Sequence, residues 1–192
     1  MSHHTEAAPA HLLGPGALVL VVGPSGAGKD TLLAVAQDLL SDHPRVQFAR
    51  RLVTRPAGAH EDHASLSEAE FAAQRPEFAL WWEAHGLFYA LGREVVQAIR
   101  AGDTVVANGS RATLPLARER FARLFVVHIT APIAVRAQRL ALRGREDLSA
   151  ITARLERAPP LTSEPDLELE NTGSPQAGGA RLAAFIAALG QP

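Results

Sequence analysis

The chain has 192 residues, 47% of them hydrophobic, and 20 acidic against 19 basic side chains give a formal net charge of −1. That length suits one domain with a substantial core, and the balanced charge gives no reason to expect nucleic acid or an anionic membrane as partner. With no cysteine, disulfides, thiolate catalysis and cysteine-held metals are excluded, and no apolar run approaches the ~20 residues of a membrane span.

Residues 1–16 are polar and carry His3, His4 and His11. They lack the basic flank and long apolar core of a signal peptide, so they read as a disordered leader on a cytoplasmic protein, its histidines solvated, with metal binding as the alternative. Residues 17–192 read as a single domain. It opens on a buried strand, Ala17 to Val22, followed by Gly23-Pro24-Ser25-Gly26-Ala27-Gly28-Lys29-Asp30-Thr31 and by helical periodicity from Lys29 to about Leu40. The G-x-x-x-x-G-K spacing between strand and helix is that of a phosphate-binding loop. Its glycines let the backbone turn tightly and aim N–H groups at one anion, the helix adds its N-terminal dipole, and Lys29 reaches the β- and γ-phosphates. The expected cofactors are ATP and Mg²⁺. The residue after the lysine is ordinarily Ser or Thr, whose hydroxyl touches Mg²⁺. Here it is Asp30. It reads two ways: as a carboxylate for the metal, direct or through water, or as an acid favoured by the helix dipole.

Val46 to Thr54 is predicted to be extended, interrupted at Arg50 and Arg51. Residues 55–90 are more irregular and form a candidate acceptor-binding insertion. It contains a helix from Ser67 to Gln74 with Ser67 and Glu70 as capping box, then short strands at 78–83 and 87–90 joined by His85-Gly86. Helix 93–100, closed by Gly102, precedes strand 104–107. Helix 114–121, strand 124–130 and helix 132–142 follow, then a helix over 149–158, a strand over 167–170 and a last helix over 179–189. Strands alternating with helices predict an α/β three-layer fold, a parallel sheet covered on both faces.

The loop, Thr54-Arg55-Pro56, the segment from Phe78 to Tyr89, and Arg139-Leu140, Arg143-Gly144 and Arg154-Leu155 together resemble guanylate kinases over nearly all of the chain from Ala17 onward. The departures are specific. Where that family reads the guanine edge with an acid, this chain has Leu80. Just past the tyrosine it has Ala90-Leu91, and its acidic strand end is replaced by Ala107-Asn108-Gly109-Ser110-Arg111. Losing a buried base-reading group can cost discrimination of several powers of ten, so an acceptor carrying guanine is disfavoured. The chain is closer in pattern to the ribose 1,5-bisphosphate phosphokinases, which it resembles in Gly28-Lys29-Asp30, His63, His85-Gly86-Leu87, Asn108-Gly109-Ser110-Arg111 and Arg143-Gly144-Arg145-Glu146.

That resemblance implies ATP-dependent conversion of ribose 1,5-bisphosphate to 5-phosphoribosyl 1-diphosphate, in phosphonate catabolism. It implies Arg139, Arg143 and Arg154 as clamps on the transferred phosphoryl group, a lid at 143–149, Arg55 on an acceptor phosphate with His63, Tyr89, Ser110 and Arg111 beside it, and Asn171 near adenine. The acceptor oxygen is already anionic, so no general base is needed and catalysis rests on positioning and cations. A nucleoside monophosphate kinase and a non-catalytic guanylate-kinase-like binding domain are the alternatives. Neither nucleic acid nor membrane is an expected partner, and the sequence does not set the oligomeric state. Trp81 and Trp82 divide between pocket and core without a sequence signal to choose. His128, within a buried strand, reads as structural, and His85 as either near the substrate or solvated.

Overall fold

Every side chain of the apolar run Ala17–Val22, strand β1, is buried, as a strand covered on both faces requires. This is seen in a computed structural model that describes residues 12–56, 63–84, 86–142, 161 and 163–189. Around β1 a five-stranded sheet forms in the order β2 (Val46–Phe48), β7 (Thr104–Asn108), β1, β8 (Leu124–Thr130), β9 (Leu167–Glu170), with every pairing parallel. Alternation along β1 divides the core. Val19 and Val21 pack with Leu32 and Ala36 of α1 (Lys29–Leu39) and with Leu182 and Ile186 of α6 (Pro175–Leu189). Leu18, Leu20 and Val22 pack with Val95 and Ile99 of α3 (Arg93–Arg100) and with Leu114 and Ala117 of α4 (Leu114–Arg120). The expected three-layer α/β fold is therefore present.

A second sheet of four strands, ordered β4 (His63–Ser65), β3 (Arg51–Val53), β6 (Leu87–Leu91), β5 (Leu80–Ala84), stands beside the first. The β3–β4 pair is parallel and the other pairs are antiparallel. The single extended segment expected over 46–54 is thus two strands. The chain leaves the main sheet after Phe48 and enters the second one at Arg51. Strand β4 has no sequence signal of its own, since His63-Ala64-Ser65 lacks both length and β-branched residues. The capping box before α2 (Glu68–Gln74) forms as read, with Ser67 Oγ accepting from the Glu70 N–H at 3.2 Å and Glu70 Oε2 accepting from the Ser67 N–H at 2.7 Å.

Two further boundaries differ from expectation. The last helix begins at Pro175, a turn before Gly179, because Ser174 Oγ accepts from the Ala177 N–H at 3.2 Å and supplies an N-terminal cap. Gly178 and Gly179 then lie inside the helix, where an added Cβ would strike Leu32 and Val35 of α1. Residues 12–16, expected to fall in the leader, are instead part of the fold: Leu13 bridges to Phe121, and the Gly16 N–H donates to the Ile99 carbonyl at 2.9 Å. The expected helix over 149–158 and the lid at 143–149 lie outside the described residues. No helix among the described residues is long and apolar enough to cross a membrane.

The turn out of β1 is sterically fixed. Gly23 has φ 153°, and a Cβ there would run into the Ile129 carbonyl of β8. Gly23→Ala is expected to lower folding stability by about 1–3 kcal/mol, through backbone strain and displacement of β8, as read by urea denaturation. An unchanged midpoint would show that the loop accommodates the methyl group.

Candidate active site

The loop between β1 and α1 turns on three glycines in the left-handed half of backbone space: Gly23, Gly26 at φ 78° and Gly28 at φ 88°. Gly28 is the N-cap of α1, so the helix dipole points into the loop. The Lys29 ammonium folds back over it, donating to the Gly23 carbonyl at 2.8 Å and to the Pro24 carbonyl at 3.2 Å. An open cleft of about 890 Å³ begins here and continues to the second sheet.

The cleft brings together much of the set read from sequence. Gly23, Pro24, Ser25, Gly26, Gly28, Lys29 and Asp30 line it, as do Arg55, His63, Tyr89, Ser110 and Arg111. Ser110 caps the short 3-10 turn Arg111–Thr113 after β7, with its Oγ accepting from the Ala112 N–H at 3.2 Å. Tyr89 stacks on Trp82, their rings 5.6 Å apart and inclined by 7°. Trp82 is thereby the tryptophan of the cleft wall. Trp81 faces the other way, against Phe71 and beneath the Arg75 guanidinium, 3.8 Å above its ring. His63 is 3% exposed and its Nε2 lies 3.3 Å from the Arg55 carbonyl, so it shapes the backbone that presents Arg55.

Other residues sit differently from expectation. Arg139 was read as a clamp on the transferred phosphoryl group, but its guanidinium grips the back of the loop. Nη1 donates to the Ala27 carbonyl at 3.3 Å, and Nη2 donates to the Asn171 carbonyl at 3.0 Å. Asn171, 7% exposed, donates from Nδ2 to the same Ala27 carbonyl at 2.8 Å instead of facing a base. The physical reason is the loop itself: N–H groups aimed inward leave carbonyls aimed outward, and these need donors. Ala27 is fully buried and Thr31 is exposed on the first turn of α1, so neither lines the cleft. Arg143, Arg154 and His85 lie outside the described residues.

Asn108, at the end of β7, was not among the residues singled out for the site. Its Nδ2 donates to Asp30 Oδ1, which also takes a 3.3 Å contact from Arg51 Nη2. The Asp30 side chain nevertheless remains 62% exposed. The Asn108 Oδ1 is buried without a hydrogen-bond partner. An exposed carboxylate next to an unsatisfied amide oxygen is a donor set that suits a hard cation such as Mg²⁺, which takes one or two protein oxygens and completes its shell with phosphates and water. Among the described residues no cluster of three or more His, Asp or Glu forms a closed metal cage. The sequence signal for Asn108 is its place in the pattern Asn108-Gly109-Ser110-Arg111 at a strand end.

The two leucines that stand where the resemblance expects base-reading groups are buried. Leu80 and Leu91 pair across β5 and β6 and are both 0% exposed in the core. The charge around the loop is positive. Burial lowers the Arg111 pKa, and the neighbouring Arg136 charge pushes the same way. His128 is also lowered, chiefly by burial. Its hydrogen bond and charge contact with Glu168 oppose the shift, and the Arg111 and Lys29 charges add to it. Its Nδ1 lies 3.2 Å from Glu168 Oε1, while its Nε2 is buried without a partner. The histidine expected to be structural is therefore a neutral ring inside the positive field of the site.

No protein-family model matches the chain. Curated relatives do. It is 47% identical over 177 residues to ribose 1,5-bisphosphate phosphokinase PhnN of Rhodopseudomonas palustris, covering 91% of this chain and 90% of that one. It is 48% identical over 176 residues to the protein of the same name from Methylobacterium radiotolerans, covering 91% and 99%. Pseudofrankia inefficax has another at 44% identity over 177 residues. Among solved structures, guanylate kinase from Anaplasma phagocytophilum superposes with a TM-score of 0.61 at 17% identity over 92% of this chain and 87% of that one. At that identity the likeness bears on the fold alone.

Because the folded His128 holds its proton less tightly than the unfolded chain does, the unfolded state takes up more protons as pH falls below about 6.5. Stability is therefore lost on acidification through that window, until the depressed folded pKa is passed. Urea midpoints at pH 7.5 and 5.5 are expected to differ less in His128→Gln than in the native chain. Equal losses in both would remove His128 as a contributor.

Proposed function

The chain belongs to the ribose 1,5-bisphosphate phosphokinase family, and from that membership we propose that it transfers the γ-phosphoryl group of ATP to the 1-phosphate of ribose 1,5-bisphosphate. The products are ADP and 5-phospho-α-D-ribose 1-diphosphate, and the setting is phosphonate catabolism. A phosphate oxygen of the sugar forms the new P–O bond as the bond between the γ-phosphorus and the bridging oxygen of ADP breaks. The attacking oxygen carries no proton at neutral pH, so the protein has two anions to bring into line and no proton to remove.

The observation that carries this reading beyond kinship is a cleft lined by several cations, together with buried leucines at the positions where the resemblance puts base readers. Arg55 and Arg111 line the cleft, and a bisphosphate asks for more than one guanidinium fork. Leu80 and Leu91, fully buried, offer a purine no hydrogen bond. The Trp82–Tyr89 stack makes a flat wall suited to a sugar ring. At the donor end the loop N–H groups and Lys29 hold the β- and γ-phosphates. Arg139 and Asn171 keep the loop in shape, and the roles on the transferred group that the resemblance implies for Arg143, at the start of the lid, and for Arg154, in the helix after it, complete the reading.

Asp30 and Asn108 supply the protein oxygens for Mg²⁺, which when bound neutralises charge between the phosphates. Asp30→Ser is expected to raise the Mg²⁺ concentration for half-maximal rate several-fold. An unchanged Mg²⁺ requirement would leave Asp30 as a helix N-terminal acid only.

The deciding experiment is ADP release measured with ribose 1,5-bisphosphate, GMP and AMP as separate acceptors. Turnover with the sugar bisphosphate alone is the expected result. Turnover with GMP or AMP at comparable kcat/KM would replace this reading with a nucleoside monophosphate kinase. Absence of turnover with all three would favour a binding domain.

A further inference from the structure

Arg136 has no part in the chemistry described so far, and it is the only buried arginine, lysine, aspartate or glutamate among the described residues, at 7% exposure. It sits on α5 (Ile133–Leu142), whose backbone at this residue presses on Gly26, so that a Cβ on Gly26 would collide with the Arg136 carbonyl and Cα. Its Nε donates to the Ala131 carbonyl at 3.1 Å, and its Nη1 is buried with no hydrogen-bond partner. None of the ion pairs among the described residues includes it or Arg111. The charge of Arg136 is felt at Arg111, where it opposes that guanidinium's own proton.

A buried cation without a counter-ion is an unfavourable arrangement in the free protein, since desolvation is not offset by a partner. It becomes favourable when anions arrive within its field. The anions that reach this corner are phosphates on the other side of Gly26. We propose that Arg136 is a positioning residue for phosphate binding: its uncompensated charge, seated behind Gly26, raises the positive potential under the loop. The proposal rests on the reading of the loop as the ATP site. It predicts that the residue trades stability of the free protein for grip on the nucleotide.

Thermal unfolding of the native chain, Arg136→Met and Arg136→Lys, each with and without ADP and Mg²⁺, separates this from a packing role. Arg136→Met is expected to melt no lower than the native chain when free, and to lose more than half of the rise that ADP produces. Arg136→Lys, which keeps the charge, is expected to retain most of that rise. A full ADP-induced rise in Arg136→Met overturns the proposal, as does an equal loss in Arg136→Lys, which would assign the effect to the shape of the guanidinium. If Arg136→Met does not fold, Arg136→Gln carries the same comparison. Failure of both to fold beside a stable Arg136→Lys would make the charge a requirement of the fold and also overturn it. No ADP-induced rise in the native chain would sink the nucleotide site itself, whereas a normal rise retained without the charge sinks only this inference.

Discussion

A backbone loop that turns its N–H groups toward a phosphate turns its carbonyls away from it, and those carbonyls must find donors elsewhere. The site depends on how that requirement is met. Asn171 and Arg139, from the end of β9 and from α5, converge on the Ala27 carbonyl. Lys29 covers the Gly23 and Pro24 carbonyls from the cleft side. The Arg139–Asn171 contact then ties α5 to the end of β9. The same hydrogen bonds that shape the anion cradle therefore fasten two elements distant in sequence, and loosening either residue would reach the nucleotide through the loop.

The same geometry explains the distribution of charge. Lys29, Arg55 and Arg111 line the cleft, Arg136 lies behind the loop, and the acid on the first turn of α1, Asp30, lines the cleft with them. Asp30 is itself held by Asn108 and Arg51. Cations gathered ahead of their ligand repel one another, which is a cost in the free chain, and a phosphate-laden pair of substrates relieves it on binding. His128 lies in that field: burial chiefly disfavours its proton, Glu168 at hydrogen-bond distance opposes this, and the Arg111 and Lys29 charges add smaller pushes in the same direction as burial.

The fold was largely legible in the sequence because its signals are local: six apolar residues before a glycine loop, the Ser67–Glu70 box, and Pro and Gly at helix ends. What escaped depends on long-range pairing. Strand β4 exists only because β3 offers it an edge. Arg139 carries the spacing of a lid arginine, yet its donors go to loop carbonyls because α5 lies behind the loop. Asn108 stands in the pattern Asn108-Gly109-Ser110-Arg111 without a role attached to it, and Arg136 has no motif. One acts through a contact across 78 residues of sequence, and the other is notable only for what it lacks, a partner. Glycine spacing announces where phosphates go, but which side chains hold the loop open is a property of packing.

The acceptor end shows how an α/β kinase frame can be turned from a base to a sugar without changing its backbone plan. Strands β5 and β6 keep the antiparallel register that faces Leu80 with Leu91, and both residues are apolar and fully buried. A polar base-reader at either position would need a hydrogen-bond partner from the ligand, and an acceptor lacking a base would leave it unsatisfied at a cost of about 1–3 kcal/mol. Leucine removes that demand and adds to the core that supports Trp82. On the proposed reading, an acceptor without a base meets no unsatisfied polar group at these two positions, and discrimination rests on what the pair does not offer rather than on what it binds.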